Sequence, residues 1–254
     1  MIIKTEVERA SLIEGGKRLA AVLEALRQKA APGISTKELD DLAEALIRAG
    51  GDEPCFKGYT PEGASRPYPA ALFVSINDEV VHGIPNESVK VLREGDIVGL
   101  DLGLRHGGIV VDAAITVAIG AVSEETKRLM RATEAALAAG IMAAVPGGHV
   151  GDIGHAIQEV IEGAGFKVVK ELGGHGVGDL VHEEPFISNF GRPGTGELLE
   201  ENMVLALEPI SSAGKAAVIL RPDGYTFATR DGSKSAHYEH TILLEVGGAR
   251  IITA

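Results

Sequence analysis

Cysteine and basic charge are scarce in this sequence. The single cysteine, Cys55, excludes a disulfide framework in a 254-residue chain and suits a reducing cytosol. Lysine and arginine together number 24 against 36 aspartates and glutamates, a net charge of −12. That balance argues against nucleic acid as the main partner, because phosphate binding needs a basic surface. No apolar run is long enough to span a membrane; the longest helical one, around residues 135–145, ends at Pro146. The segment Met1–Glu6 lacks the apolar core of a signal peptide. These absences point to a cytoplasmic protein whose direct partners are neither membrane nor nucleic acid. Several chemistries are missing too. The zinc-protease helix motif needs a histidine four residues after His182, where Phe186 stands. Gly214-Lys215 runs into Ala216 rather than completing a Walker loop, and Asp179 occupies the last glycine position of a dinucleotide fingerprint.

What is present is a set of acids and one imidazole in apolar surroundings. Asp101 and Asp112 lie in the runs 97–102 and 109–114, Glu208 follows the run 203–207, and Glu239 precedes the run 240–244. His175 sits in Gly173-Gly174-His175-Gly176-Val177-Gly178, whose glycines suit a backbone with positive φ or a close approach. An uncompensated buried charge is very costly, and lysines and arginines are scarce next to these acids, so bound cations are the natural partners. Residues 96–105 and 108–119 read as two strands joined at a two-residue turn, His106-Gly107. That turn sets Asp101 directly opposite Asp112. Two carboxylates about 4 Å apart repel by roughly 4 kcal/mol at an effective dielectric of ~20, which a divalent cation between them would relieve.

The chain also repeats itself. Residues 32–51 align with 146–165 at a constant offset of 114, matching Pro32 with Pro146, Gly33 with Gly147 and Glu38 with Asp152. The apolar face of Leu39, Leu46 and Ile47 returns as Ile153, Val160 and Ile161. A helical segment precedes each copy, at about 6–30 and 123–144, with a capping box at Thr5 and Glu8, another at Ser35 and Glu38, and an N-cap at Ser123. The pattern predicts two related helix–helix–strand halves, about 1–120 and 121–254, packed into one domain with the site between them. His82, before Gly83-Ile84-Pro85, and His182, before Glu183-Glu184-Pro185, are further candidates in turns that follow apolar strands.

Asn77-Asp78-Glu79-Val80-Val81-His82-Gly83-Ile84-Pro85, the spacing from Asp101 to Asp112, Gly174–Gly178 with His182–Pro185, Glu208-Pro209 and Ser235–Thr241 stand in family order. Through these motifs the chain resembles the type I methionine aminopeptidases from about residue 3 to 252. The resemblance implies an α+β pita-bread fold, two pseudo-twofold halves around a central antiparallel sheet. It implies a metal-dependent hydrolase that removes N-terminal methionine when the next residue is small, through a bridging water activated by two divalent cations. Asp112 and Glu239 would bridge the cations, Asp101 would chelate one, and His175 with Glu208 would complete the other. The oxygen-rich donor set with one imidazole admits Mn, Fe, Co or Zn without choosing among them. Glu208 would handle the proton, His182 would contact the substrate carbonyl or oxyanion, and His82 the amide nitrogen. Tyr59, Tyr68, Phe73 and Tyr225 would line an apolar slot for methionine.

The chain departs from the family pattern in places. Phe56 and Phe73 stand where cysteine is common, Val181 replaces an aromatic before His182, and His237 replaces the usual glutamine. Thr60–Pro67 reads as an inserted surface loop. The implied partners are peptide and nascent-chain N-termini; a monomer is expected and ribosome association is left open. Two other readings compete: a proline-specific peptidase of the same fold, and a non-catalytic binding module that retained the fold. A retired module should have lost a metal ligand, and none of the five is missing.

Overall fold

The computed structural model of the protein describes residues 1–254 except Glu62. Among the described residues four helices form where the caps and periodicity place them: α1 (Glu6–Lys29), α2 (Thr36–Ala49), α3 (Glu124–Ala143) and α4 (Val150–Gly163). The hydroxyls of Thr5 and Ser35 accept from the backbone N–H groups of Glu8 and Glu38, whose carboxylates return to the cap N–H, satisfying donors that a helix start otherwise leaves open. Ser123 caps α3 through Thr126 N–H. In α1 acids sit in the first turn and Arg27 and Lys29 in the last, the order the helix dipole favours. Helices α2 and α4 are both 14 residues long and start at Thr36 and Val150, the offset of the sequence repeat. No helix of the described residues is long and apolar enough to cross a membrane.

The helices cover a nine-stranded sheet in which every pairing is antiparallel. Its main path runs Glu53–Pro54, Ile97–His106, Ile109–Ala118, Glu239–Glu245, Val204–Leu207, Gly173–Gly176, Glu183–Ser188, with Leu72–Ile76 beside Ile97–His106 and Gly248–Ile251 beside Glu239–Glu245. The strands from the two helix–helix–strand units therefore meet at Ile109–Ala118 and Glu239–Glu245. Two three-stranded sheets flank the path; one of them, Ser235–His237, Ile210–Ser212 and Lys167–Val168, carries His237. Beneath α1 and α2 the core holds Leu12, Leu19, Leu39, Leu100 and Val111; beneath α3 and α4 it holds Leu129, Ile153, Ile157, Leu205 and Ile242. Each such side chain contributes about 1.5–3 kcal/mol by leaving water.

The hairpin differs from the register read in the sequence. Its turn is Gly107-Gly108, both at positive φ (56° and 88°), and His106 pairs with Ile109. A two-residue turn of this hand needs positive φ at both central positions, which two glycines accept and His106 would resist. Moving the turn by one residue moves the register by two. Asp101 lies opposite Ala114 and Asp112 opposite Gly103, so the two acids are diagonal neighbours on one face. Diagonal placement still lets the two carboxyls reach each other, and each acts on the other directly. The even shift keeps both carboxylates on the same side of the sheet.

Candidate metal centre

Each donor is delivered by a strand, and the strands converge from both ends of the chain. Asp101 and Asp112 project from the hairpin; Glu239 begins a strand that pairs with Ile109–Ala118 through Glu239–Ala114 and His240–Ala113. Beyond those pairs, side chains continue the ladder. The Thr241 hydroxyl accepts from Asp112 N–H at 2.9 Å and donates to Asp112 O at 2.7 Å. The Thr116 hydroxyl does the same for His237, at 2.9 and 2.7 Å. His175 pairs with Ala206 on the strand that ends just before Glu208. That strand pairing explains the glycines around His175. A Cβ on Gly174 would come closer than 3.0 Å to the Ala206 carbonyl oxygen, and one on Gly176 closer than 3.0 Å to that of Glu184. Of the two uses of glycine open in the sequence, close approach is the one realised at these two positions; positive φ appears only at Gly178.

The result is a buried cage of oxygen and nitrogen donors. One ligand atom each from Asp112, His175 and Glu239 lie within 4.8 Å of one another. His175 Nε2 is 3.6 Å from Glu208 Oε1 and 4.0 Å from Glu239 Oε1. Asp101, Asp112, His175 and Glu239 are all less than 9% exposed, and the Glu208 side chain is 14% exposed. Asp101 Oδ1, Asp112 Oδ1 and Glu239 Oε1 have no hydrogen-bond partner among the described residues. Buried carboxylate oxygens without donors are what a divalent cation site leaves when its side chains are considered alone. His175 carries a second mark of a ligand: its Nδ1 lies 2.9 Å from Gly176 O. A carbonyl only accepts, so Nδ1 bears the proton and Nε2 presents its lone pair to the acids. The residues present fit divalent metal ions.

Electrostatics agree with that chemistry. Burial, then the charges of Asp112 and Glu208, push the Asp101 carboxyl well above the usual range. Burial and then Glu208 raise Asp112; burial and then Asp112, Glu208 and Asp101 raise Glu239. Glu208 is lifted to about 8 by burial. Burial holds the imidazoles of His82, His175 and His237 down at about 3, and lowers His182 as well. The imidazoles are therefore neutral and leave the four acids uncompensated, so cations are required if those acids are to ionise together.

The two remaining sequence candidates stand at the mouth. The His182 ring meets His175 edge-on at 4.5 Å, and its Nδ1 is 2.9 Å from the Tyr59 hydroxyl. His82 has φ of 61°, in the left-handed region, and its ring lies 4.8 Å from Phe73. Its side chain makes no hydrogen bond to the Gly83-Ile84-Pro85 turn among the described residues. A cavity of about 450 Å³ opens from these two histidines and Glu208 toward Leu172, Gly173 and Phe186. The space directly over the acids, walled by Phe56 and Phe73, is only about 20 Å³, room for roughly one water.

The aromatic residues are arranged differently from one another. Phe73 faces the acids together with Phe56, their rings 4.4 Å apart. Tyr68 and Tyr225 stand behind Phe73, line neither cavity, and spend their hydroxyls on backbone carbonyls: Tyr68 on Leu72 and Gly83, Tyr225 on Arg66. Tyr59 touches His182 rather than the acids. Thr60–Pro67 carries no helix or strand among its described residues, Glu62 lying outside them. Its ends are joined by Tyr68 N–H to Tyr59 O at 2.8 Å, and Arg66 pairs with Glu87. Burial pushes the Cys55 thiol up, and its sulfur lies against Gly103. Sequence reasoning noted His237 and Phe56 only as departures, yet both face the cage. The available signal was strand alternation: His237 is two residues from Glu239 and so shares its side.

A buried acid-and-imidazole cage between two helix-backed halves of one antiparallel sheet defines a class, the metal-dependent hydrolases of the pita-bread fold. The model of Metallopeptidase family M24 matches residues 10–245. Methionine aminopeptidase 1 of Bacillus subtilis is 42% identical over 253 residues, covering 100% of this chain and 99% of its own. The crystal structure of methionine aminopeptidase from Thermotoga maritima superposes with a TM-score of 0.94 at 42% identity, covering 100% and 99% of the two chains. Prolidase from Pyrococcus furiosus shares the fold at TM-score 0.75, but at 22% identity and over only 65% of its chain. The chain belongs to metallopeptidase family M24 and, within it, to the methionine aminopeptidases.

Proposed function

We propose that this protein removes the N-terminal methionine from peptides and nascent chains in the cytoplasm, as one catalytic domain acting when the second residue is small. The observation that carries the reading is that Asp101, Asp112, His175, Glu208 and Glu239 line one small buried space, with His82 and His182 beside it at the head of the larger cavity. Asp101, Asp112, His175, Glu208 and Glu239 would hold two divalent cations. When bound, such ions supply charge neutralisation, Lewis acidity and a water acidified toward neutral pH.

The remaining work falls to the chain. Glu208 takes the proton as the water attacks the scissile carbonyl and returns it to the departing amine. The Tyr59 hydroxyl lies 2.9 Å from His182 Nδ1; in the tautomer that accepts this hydroxyl at Nδ1, neutral His182 has its proton on Nε2 to donate to the developing oxyanion. His82, neutral and braced by Phe73, faces the amide nitrogen. Phe73 and Phe56 form the apolar wall for the methionine side chain, backed by Tyr68 and Tyr225. The close-packed Gly173–Gly176 strand borders the space for the next residue and crowds it.

The test is turnover of Met-Ala, Met-Gly, Met-Leu and Ala-Pro peptides, each with a chelator and then with restored Mn or Co. Met-Ala and Met-Gly should be cleaved well above Met-Leu, the discrimination appearing in kcat/KM, and chelation should abolish all turnover. Full activity in metal-free protein would sink the metal reading, and preference for Ala-Pro would move the protein to the proline-specific branch.

A further inference from the structure

His237 is the one imidazole in the cage to which the reading above gives no task. It is 3% exposed, its backbone is clamped by Thr116, and its Nε2 has no hydrogen-bond partner among the described residues. That nitrogen lies 3.5 Å from Glu208 Oε2 and 3.9 Å from Glu239 Oε2. The arrangement mirrors His175, which faces the other oxygen of each glutamate at 3.6 and 4.0 Å. The pair of glutamates is thus held between two imidazoles, one for each set of oxygens.

The two imidazoles differ in tautomer. His175 spends its Nδ1 proton on Gly176 O, which leaves Nε2 as a lone pair. His237 Nδ1 has no carbonyl or carboxylate acceptor among the described residues, so nothing fixes its proton there. A neutral imidazole facing two carboxylate oxygens is favourable with its proton on Nε2 and unfavourable with a lone pair there. Metal-ligating histidines characteristically donate their other ring nitrogen to an acceptor, which His175 does and His237 does not.

We propose that His237 is a positioning residue: with its proton on Nε2 it donates to Glu208 Oε2 once the present 3.5 Å separation closes as the cage takes up its cations, and it holds that carboxylate with Oε1 turned to the His175 side of the cage. A buried carboxylate free to rotate would present either oxygen, or both, to a cation and to the attacking water. One oxygen engaged by His237 leaves the other with a single direction. His237 touches neither substrate nor cation in this role and acts only through Glu208. The inference rests on the assignment of Glu208 as ligand and proton carrier.

Three forms of the full chain decide it: wild type, His237→Gln, which keeps an N–H donor but is a poor metal ligand, and His237→Leu, which keeps bulk alone. Mn²⁺ binding by calorimetry should be about 10–100-fold weaker in His237→Leu, the usual cost of losing a partner of a metal ligand. His237→Gln should recover affinity to within a few-fold of wild type, and kcat on Met-Ala should follow the same order with KM little changed. Nitrogen NMR of the Zn-loaded wild type, which depends on no variant folding, should find the His237 proton on Nε2. A coordinated, unprotonated Nε2, or a His237→Gln variant as poor as His237→Leu, would make His237 a ligand and overturn the proposal. So would a His237→Leu variant that binds and turns over as wild type does. If wild type binds Mn²⁺ with this variant pattern yet cleaves no methionyl peptide, the functional reading fails while the role of His237 stands.

Discussion

Asp101 and Asp112 stand on two ten-residue strands that pair without a break from Ile97–Ala118 to His106–Ile109, and the space beside them is walled by Phe56 and Phe73. In the second half, Gly173–Gly176 and Val204–Leu207 span four residues each, and the pairing of Gly173–Gly176 with Glu183–Ser188 is irregular. Yet this half supplies His175, His182, Glu208, His237 and Glu239. The first half presents two carboxylates on a regular face where ordinary side-chain alternation suffices. The second must bring several kinds of donor to one point, and it does so by packing backbones close, with glycine where a Cβ has no room. Regularity sets direction; close approach sets convergence.

The sharpest way to break the contrast is an alanine in each half. Gly174→Ala drives a Cβ into the Ala206 carbonyl, a backbone atom that cannot swing away. We expect a loss of about 4 kcal/mol or more in denaturant unfolding, in the exceptional range for a point change, with impaired metal binding. Gly99→Ala, on the regular strand, meets Ser75 only at 3.7 Å and has no positive φ, so it should change stability by less than about 1 kcal/mol. Equal losses at the two sites would remove the distinction between the halves.

The next effect separates histidines that hold metal from those that meet substrate. His82→Ala and His182→Ala should retain the cations in calorimetry and lose about 10²–10³ in kcat, or roughly 2.7–4 kcal/mol, because their hydrogen bonds strengthen in the transition state. His175→Ala should instead weaken binding and recover part of its turnover at high metal concentration. Loss of metal by either of the first two variants would shift it to the cage itself.

The smallest expected effect is in pH. A carboxyl raised in the folded state binds its proton more tightly there, so metal-free protein loses stability as pH rises from the ordinary carboxylate range toward the raised value. The neutral buried histidines act oppositely, until about pH 7.5, where the unfolded chain has given up nearly all its imidazole protons. Above that the raised acids dominate, and Glu208 by itself should cost roughly 0.5–1 kcal/mol as pH passes through its value of about 8. Urea unfolding of chelated protein at pH 7.5 and 8.5 measures it, and added Mn²⁺ should stabilise more at pH 8.5. A flat profile without metal would mean that the four acids do not share one buried site.

The helices, their caps, the offset between the halves and the five candidate donors were legible in the residues because each depends on neighbours a few positions away. Thr5 needs Glu8, Ser35 needs Glu38, and an acid in an apolar strand is conspicuous by itself. Even the hairpin register was within reach, since Gly107-Gly108 is the pair that tolerates positive φ at both turn positions. Only the tertiary structure decided which side chains share a point. His237 and Glu208 are 29 residues apart in the chain and 3.5 Å apart in space, brought together by the pairing of Ser235–His237 with Ile210–Ser212. Tyr68 and Phe73 belong to one aromatic cluster, yet Phe73 faces the acids and Tyr68 the core. Local sequence sets the period and the caps of an element; the order in which strands join the sheet sets what each side chain meets.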